Sequence, residues 1–225
     1  RLDSTFLISR ESVFGGGKTI NAFAGVHAYY NHGNQPNLHI SALFNFSGKP
    51  WLSQKWMRTI CNEFYGTEEI HGYGYGQDED QGQLGAWYVM ASMGLFDAKG
   101  LTAPDPTFQI GSPLFDKVTI RLNPDYYTGK EFVIETTGNT PENYYIGSLE
   151  LDGKPLQSVQ LPFAEVVGGG TLLIDGDCEI TGGEGATGVS VSQRGGALRA
   201  KLFGADVGDG AVFRRLLRGN GGDWR

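Results

Sequence analysis

The stretch of sequence that decides the fold is residues 72–96, GYGYGQDEDQGQLGAWYVMASMGLF. It begins as a glycine-rich loop, passes through three consecutive acids and ends in an apolar run. The apolar spacing predicts a helix from Gln81 to Met93, with Gly94 as its C-terminal cap. One face of this helix would carry Leu84, Trp87, Tyr88 and Ala91. Because its other positions are mostly small or apolar, we expect the helix to be buried on all sides.

The three acids, Asp78, Glu79 and Asp80, stand just before this helix. The unpaired N–H groups of a helix N-terminus stabilise carboxylates in their charged form, which favours an ionised base. Helix capping by Asp78 or Asp80 alone is the structural alternative. A calcium-binding EF-hand starting at Asp78 is excluded, because Gly82 stands where an acid or Asn is needed and Val89 where a Glu is needed. Calcium held by separated segments stays open.

Two further helical features lie upstream of the acids. Pro50 opens a predicted helix that places Trp56, Ile60 and Phe64 on one face before Gly66 ends it. The polar segment NHGNQPNLH at residues 31–39 precedes it, and its proline predicts a break between helices. Its carbonyls and amides would then be available to coordinate a ligand. A polar loop between helices, with His39 as an interior histidine, is the alternative.

The pattern changes near Pro104, where a predicted β region of antiparallel, sandwich-like strands follows the helices. Asp152-Gly153 is the signal of a hairpin turn. The fold class is therefore α+β. The last residues, 183–225, are rich in glycine and arginine, which predicts a flexible tail or a segment foreign to the native coding sequence. The expected strands are Thr107–Ile110, Lys117–Leu122, Glu131–Thr136, Tyr144–Leu151 and Thr171–Asp175.

Composition limits the classes of partner. The chain has 225 residues, 40% of them hydrophobic, which is enough for a buried core, and a net charge of −7. That charge argues against nucleic acid as a partner, and the apolar runs are too short for membrane insertion. Because the sequence starts at Arg1 with no signal peptide, we expect it to be a fragment; if the parent protein is exported, its signal would lie upstream.

Three stretches together carry a family resemblance: HGNQPNLHISALFNFSGKPW at residues 32–51, residues 72–96 quoted above, and IGSPLFDKVTIRL at residues 110–122. They resemble, in order, glycoside hydrolase family 92, the calcium-dependent exo-acting α-mannosidases. The likeness covers about residues 20–175. It implies that residues 1–103 are the last helices of an (α/α) toroid and residues 104–182 a closing β segment. Residues 183–225 inherit nothing from it.

The resemblance also implies roles for individual residues. Asp80 is similar in position to the general base of the family, and Asp78 to its partner in orienting water or binding sugar. Asn34 and Gln35 are the candidate ligands of a calcium cofactor, and His32 is a candidate contact to the leaving-group sugar. The implied reaction is hydrolysis of terminal mannose on oligomannose glycans with inversion, which uses an acid and a base on either side of the bond.

The sequence departs from the family in one functional respect. The glutamate that acts as general acid in the family lies upstream of these motifs, and no residue of this chain matches it. We therefore expect the isolated chain to need an upstream part of the same protein for catalysis. The rival hypothesis is a non-catalytic carbohydrate-binding or structural fragment. Family members are typically exported, so a periplasmic or secreted location is expected.

Overall fold

The structure is a computed structural model that describes residues 1–15, 29–66, 82–176 and the short strands 179–181, 190–192, 201–202 and 205–206. Asp78, Asp80 and most of the tail lie outside the described residues. The described part is a helical region followed by a β region, which agrees with the predicted α+β class. In the part that the structure describes, no helix is both long and apolar enough to cross a membrane.

The helical region contains two helices that are joined by a hydrogen bond and an ion pair between their side chains. Helix α1 spans Leu2–Arg10 and helix α2 spans Pro50–Glu63, the latter opening on its proline as predicted. Trp56, predicted on the apolar face of α2, is fully buried and donates from Nε1 to Asp3 Oδ1 of α1 at 2.7 Å. At the other end of α1, Arg10 pairs with Glu63. The two helices therefore share one core.

The third helix, α3, spans Gln83–Ser92, which lies within the predicted Gln81–Met93. Leu84, Trp87 and Ala91 are buried at 0%, 3% and 4% exposure, as the predicted face requires. The opposite face is open, however, since Val89 is 54% exposed. The expectation of burial on all sides was therefore wrong for this chain. The Leu84 face packs into the helical core.

Strands β1 to β8 form the β region with one short helix, α4 (Phe163–Gly168). They make a three-stranded sheet in the order β1-β2-β7 and a five-stranded sheet in the order β3-β4-β8-β5-β6. Both sheets contribute to one cluster of buried side chains, so they share one core. The bounds are β1 Leu95–Phe96, β2 Thr107–Ile110, β3 Lys117–Arg121, β4 Glu131–Thr137, β5 Ser148–Leu151, β6 Lys154–Pro155, β7 Gln160–Pro162 and β8 Gly170–Asp175. Four further strands, β9 Glu179–Thr181, β10 Ser190–Ser192, β11 Lys201–Leu202 and β12 Ala205–Asp206, form two short antiparallel pairs.

Pairing is antiparallel in most of the region, with one exception that the sequence pattern missed. Strands β4 and β8 run parallel, with Ile134 opposite Leu172. A parallel pair needs a crossover, and β5, β6, β7 and α4 lie between the two strands in sequence. The hairpin prediction is confirmed: Asp152 and Gly153 both have positive φ, 49° and 73°, as a two-residue type I′ turn between β5 and β6 requires.

Strand β5 is shorter than the predicted Tyr144–Leu151 and begins at Ser148. The reason lies in the helical region. The backbone N–H of Ile146 donates to Gln54 Oε1 on α2, at 3.1 Å, instead of to a neighbouring strand. The segment before Ser148 therefore bonds to the helical region, and the register of β5 with β8 begins at Ser148.

Candidate active site

The candidate site is built around the loop that contains His32, Asn34 and Gln35. Its start is fixed to the end of the N-terminal segment, because His32 N–H donates to Phe14 O at 2.8 Å. From Gln35 the chain forms two 3₁₀ helices, Gln35–Asn37 and Ile40–Phe46, where the sequence predicted a break and a new helix. His39 is exposed, so the alternative in which it is an interior histidine is wrong.

His32 is the interior histidine of this loop. Its side chain is 0% exposed, and both ring nitrogens lie within hydrogen-bond distance of tyrosine hydroxyls. Nδ1 is 2.7 Å from Tyr30 Oη, and Nε2 is 2.9 Å from Tyr65 Oη. Burial lowers the pKa of His32 to about 3, so the imidazole is neutral at physiological pH. Burial also raises the pKa of Tyr30, which keeps its phenol protonated.

Tyr65 connects the loop to helix α3. Its hydroxyl donates to Leu84 O, in the first turn of α3, at 2.9 Å. A second connection runs from the same helix, where Trp87 Nε1 donates to Leu38 O at 2.9 Å. The rings of Tyr65 and Trp87 are stacked, with centroids 6.0 Å apart and planes 9° from parallel. The loop therefore bonds to α3 directly through Trp87, and indirectly through Tyr65, whose hydroxyl contacts both His32 and Leu84 O.

The predicted calcium ligands, Asn34 and Gln35, have suitable oxygen atoms but are too few to bind the ion alone. Asn34 is exposed and Gln35 half-buried, and both carry neutral amide oxygens of the kind that Ca²⁺ binds. The carbonyls of Asn34 and Gln35 already accept N–H groups from Asn37 and Leu38. Calcium takes 6–8 oxygen ligands, and no group of three or more His, Cys, Asp and Glu side chains within the described ranges could hold a metal. The loop fits calcium only as one part of a larger set of ligands.

The predicted catalytic acids lie outside the described residues, so the structure does not place Asp78 or Asp80. The described chain resumes at Gly82, two residues after Asp80, with φ of 74° immediately before α3. The loop of His32 and the first turn of α3 are therefore brought together, and the acids immediately precede that turn in sequence. The roles of His32, Asn34, Gln35, Asp78 and Asp80 stay predictions.

Sequence reasoning missed Tyr30 and Tyr65, the two partners of His32. Tyr65 directly follows Phe64, the last residue of the predicted apolar face of α2. A signal was present, because a buried histidine needs polar partners and both tyrosines flank the segments that carry the family motifs. Which pairs of distant residues meet is a property of the fold and not of the local pattern.

Comparison with known proteins gives three relevant likenesses. An uncharacterized secreted glycosidase of Arthroderma benhamiae is 31% identical over 174 residues, which are 76% of this chain and 21% of that protein. The GH92 α-mannosidase of Bacteroides thetaiotaomicron in complex with mannoimidazole matches 77% of this chain and 21% of its own, at 26% identity and a TM-score of 0.61. A GH92 inverting mannosidase of Bacteroides thetaiotaomicron VPI-5482 matches 77% and 24%, at 29% identity and a TM-score of 0.54.

This chain thus spans about a fifth to a quarter of the length of these relatives. The likeness extends through both the helical and the β regions. The family model described as the glycosyl hydrolase family 92 catalytic domain matches residues 1–175, which include every described element from α1 to β8. The chain therefore belongs to glycosyl hydrolase family 92 and contains part of that family's catalytic domain.

Proposed function

We propose that this protein is an inverting exo-α-mannosidase that removes terminal α-linked mannose from oligomannose glycans. The observation that carries the proposal is the match of the family 92 catalytic domain to residues 1–175. The names of the solved relatives support the reaction, since one is an α-mannosidase and another an inverting mannosidase. The curated relative is named a secreted glycosidase, which supports export to the periplasm or beyond.

In the proposed mechanism Asp80 is the general base that removes a proton from the attacking water. Asp78 orients that water or binds the sugar. An inverting glycosidase holds its acid and base about 6.5–9.5 Å apart, so that a water fits between the base and the sugar. Chain geometry supports a place for Asp80 beside α3, because two residues span at most about 7 Å and Gly82 is the residue before that helix. The general acid would come from a glutamate upstream of Arg1.

Calcium is the proposed cofactor, and Asn34 and Gln35 are its proposed ligands from this chain. When bound, the ion would hold hydroxyls of the terminal mannose and favour its distortion towards the transition state. The loop that carries both amides is anchored by Trp87, which bonds to Leu38 O, and by His32. Removing calcium with a chelator is expected to abolish mannose release, and restoring calcium is expected to recover it.

The direct test of the proposal is Asp80→Asn in the full-length gene product, assayed on α-mannobioses. We expect kcat to fall by a factor of about 10² or more, the usual scale for a lost general base. Asp105→Asn is the matched control, because Asp105 is exposed in the β region and is expected to leave kcat unchanged. Turnover of Asp80→Asn within a few-fold of the wild type would remove Asp80 from the mechanism.

The second candidate is a carbohydrate-binding or structural module without activity of its own. Its support is that no residue of this chain matches the family's acid. Release of mannose from a panel of α-mannobioses by the 225-residue chain and by the full-length gene product separates the two. Activity in the full-length protein alone supports a catalytic domain that is completed upstream. Binding of mannosides with no activity in either form would favour the second candidate.

A further inference from the structure

A chain of hydrogen bonds runs through the buried side of the candidate site. It leads from Tyr30 Oη to His32 Nδ1 at 2.7 Å, from His32 Nε2 to Tyr65 Oη at 2.9 Å, and from Tyr65 Oη to Leu84 O at 2.9 Å. Tyr30 is 1% exposed and His32 is fully buried. The chain ends on a carbonyl in the first turn of α3.

The last bond in the chain fixes the direction of the others. A carbonyl oxygen can only accept, so the Tyr65 hydroxyl gives its single hydrogen to Leu84 O. Its oxygen must then accept from His32, which makes Nε2 the protonated nitrogen of the imidazole. A neutral imidazole with Nε2–H has an unprotonated Nδ1, which accepts from Tyr30. The His32 ring therefore donates one hydrogen bond from Nε2 and accepts one at Nδ1, so both ring nitrogens have a partner.

Aromatic side chains also pack against the His32 ring. The His32 ring meets the Trp87 ring edge-on with centroids 4.3 Å apart, and Phe64 meets it edge-on at 4.8 Å. The Trp87 indole also bonds to Leu38 O, at the far end of the loop that carries the proposed calcium ligands. His32 thus lies between two segments: this loop, and the helix that follows the acidic segment in sequence. The proposed mechanism needs these two segments in a fixed relative position.

We propose that His32 is a positioning residue, which acts through Tyr65 to set the loop of Asn34 and Gln35 against the first turn of α3. The acidic segment directly precedes this turn in the sequence. The inference rests on the proposed function for its effect on turnover. It differs from the family-based expectation that His32 contacts the leaving-group sugar, because both polar atoms of the imidazole are already occupied inside the protein.

The decisive variant is Tyr65→Phe in the full-length gene product, since it removes one hydroxyl and keeps the ring that stacks on Trp87. His32→Leu is its partner, and Tyr126→Phe, at a tyrosine that is 79% exposed, is the matched control. We measure kcat and KM on an α-mannobiose and on an aryl α-mannoside, which has no leaving-group sugar. Tyr65→Phe and His32→Leu are each expected to lower kcat about 10-fold to 100-fold on both substrates, with little change in KM.

The outcomes separate the two roles of His32. A loss confined to the mannobiose would mean that His32 contacts the leaving-group sugar, and would overturn the positioning role. Equal losses on both substrates support it, as does a double variant no worse than the poorer single variant, because residues that act as one unit are not additive. Unchanged kcat in Tyr65→Phe would overturn the proposal outright.

A measurement without substrate keeps this inference separate from the proposed function. Amide hydrogen exchange is compared in the wild type, Tyr65→Phe and Tyr126→Phe. We expect Tyr65→Phe to speed exchange in residues 31–38 and 82–87 and to leave strands β4 and β8 unchanged. Exchange rates equal to the wild type in both segments would overturn the inference even if the enzyme is a mannosidase. A wild type that releases no mannose would overturn the proposed function, while the exchange result would still decide whether His32 and Tyr65 hold these segments together.

Discussion

At the scale of single residues, His32 shows how burial fixes a protonation state. The ring is fully buried among aromatic side chains and faces no carboxylate among its described hydrogen-bond partners. Desolvation then penalises the charged imidazolium, which is why the pKa falls to about 3. A neutral ring is also the only form that can accept from Tyr30 while it donates to Tyr65.

The lowered pKa predicts how stability depends on pH. The unfolded state binds a proton at His32 below its ordinary pKa of about 6.5, whereas the folded state does not until about pH 3. The contribution of His32 to the free energy of unfolding is therefore complete above about pH 6.5. It is lost as the pH falls from there towards 3, at up to about 1.4 kcal/mol per pH unit.

Urea unfolding at pH 7, 6, 5 and 4 measures this dependence. His32→Leu removes the titrating group, so the variant is expected to lose less stability than the wild type between pH 6.5 and 4. The same slope in both proteins would show that His32 is not the group responsible. Imidazole ¹⁵N shifts give an independent check, because Nε2 is expected to stay protonated and Nδ1 unprotonated across this range.

At the scale of elements, the end of α3 depends on one glycine. Gly94 has φ of 79°, and its carbonyl accepts from Gly111 N–H, so it ends the helix and joins it to the β region. A Cβ at this position would lie 2.6 Å from Pro113 Cγ, a rigid ring that cannot move aside. A side chain at this position is therefore disfavoured for two reasons: the positive φ of the backbone and the steric clash with Pro113.

Gly94→Ala is expected to lower the free energy of unfolding by at least about 2 kcal/mol, since left-handed strain and overpacking add. The control is Gly100→Ala, where φ is 65° and nothing lies within 4 Å of the added Cβ. It carries the conformational cost alone, about 1 kcal/mol. Urea unfolding of both variants gives the difference, and equal losses would show that Pro113 yields to the methyl group.

The sequence predicted the elements better than their pairing. Helix α2, the strand β2 and the Asp152-Gly153 turn follow from local signals such as a proline, a period of two and a turn dipeptide. The parallel pairing of β4 with β8 and the start of β5 at Ser148, four residues later than predicted, depend on partners far away in the chain. For the same reason the motifs identified His32 as a candidate, but only the fold revealed that Tyr30 and Tyr65 occupy both its nitrogens.

At the scale of the whole molecule, Arg58 on α2 joins the helical and β regions. It is 5% exposed, and its guanidinium donates to Pro113 O, to Ser112 Oγ at 3.2 Å and to Asn139 Oδ1 at 3.1 Å. Its described hydrogen-bond partners are all neutral, and burial lowers its pKa. Arginine nevertheless stays charged in proteins, so these acceptors are needed to stabilise it.

Removing the guanidinium leaves buried acceptors of the β region without a donor. Arg58→Met is therefore expected to lower the free energy of unfolding by about 2–4 kcal/mol. Arg121→Met, at an exposed position of strand β3, is the control and is expected to change it by less than about 1 kcal/mol. Thermal unfolding followed by calorimetry compares them. If the two variants melt together, Arg58 does not hold the regions in place.

The bonds from α2 to the β region also determine when the helical region can be completed as the ribosome makes the protein. The hydrogen bond from Ile146 N–H to Gln54 cannot form until Ile146 is made, 92 residues later in the chain. At synthesis rates of about 5–20 residues per second, that delay is about 5–20 s. During this delay, the α2 surface that will later be buried carries a polar glutamine and a charged arginine. These side chains make that surface of the unfinished helix more polar. We expect the residues that join the two regions in the folded protein also to limit association of the nascent chain.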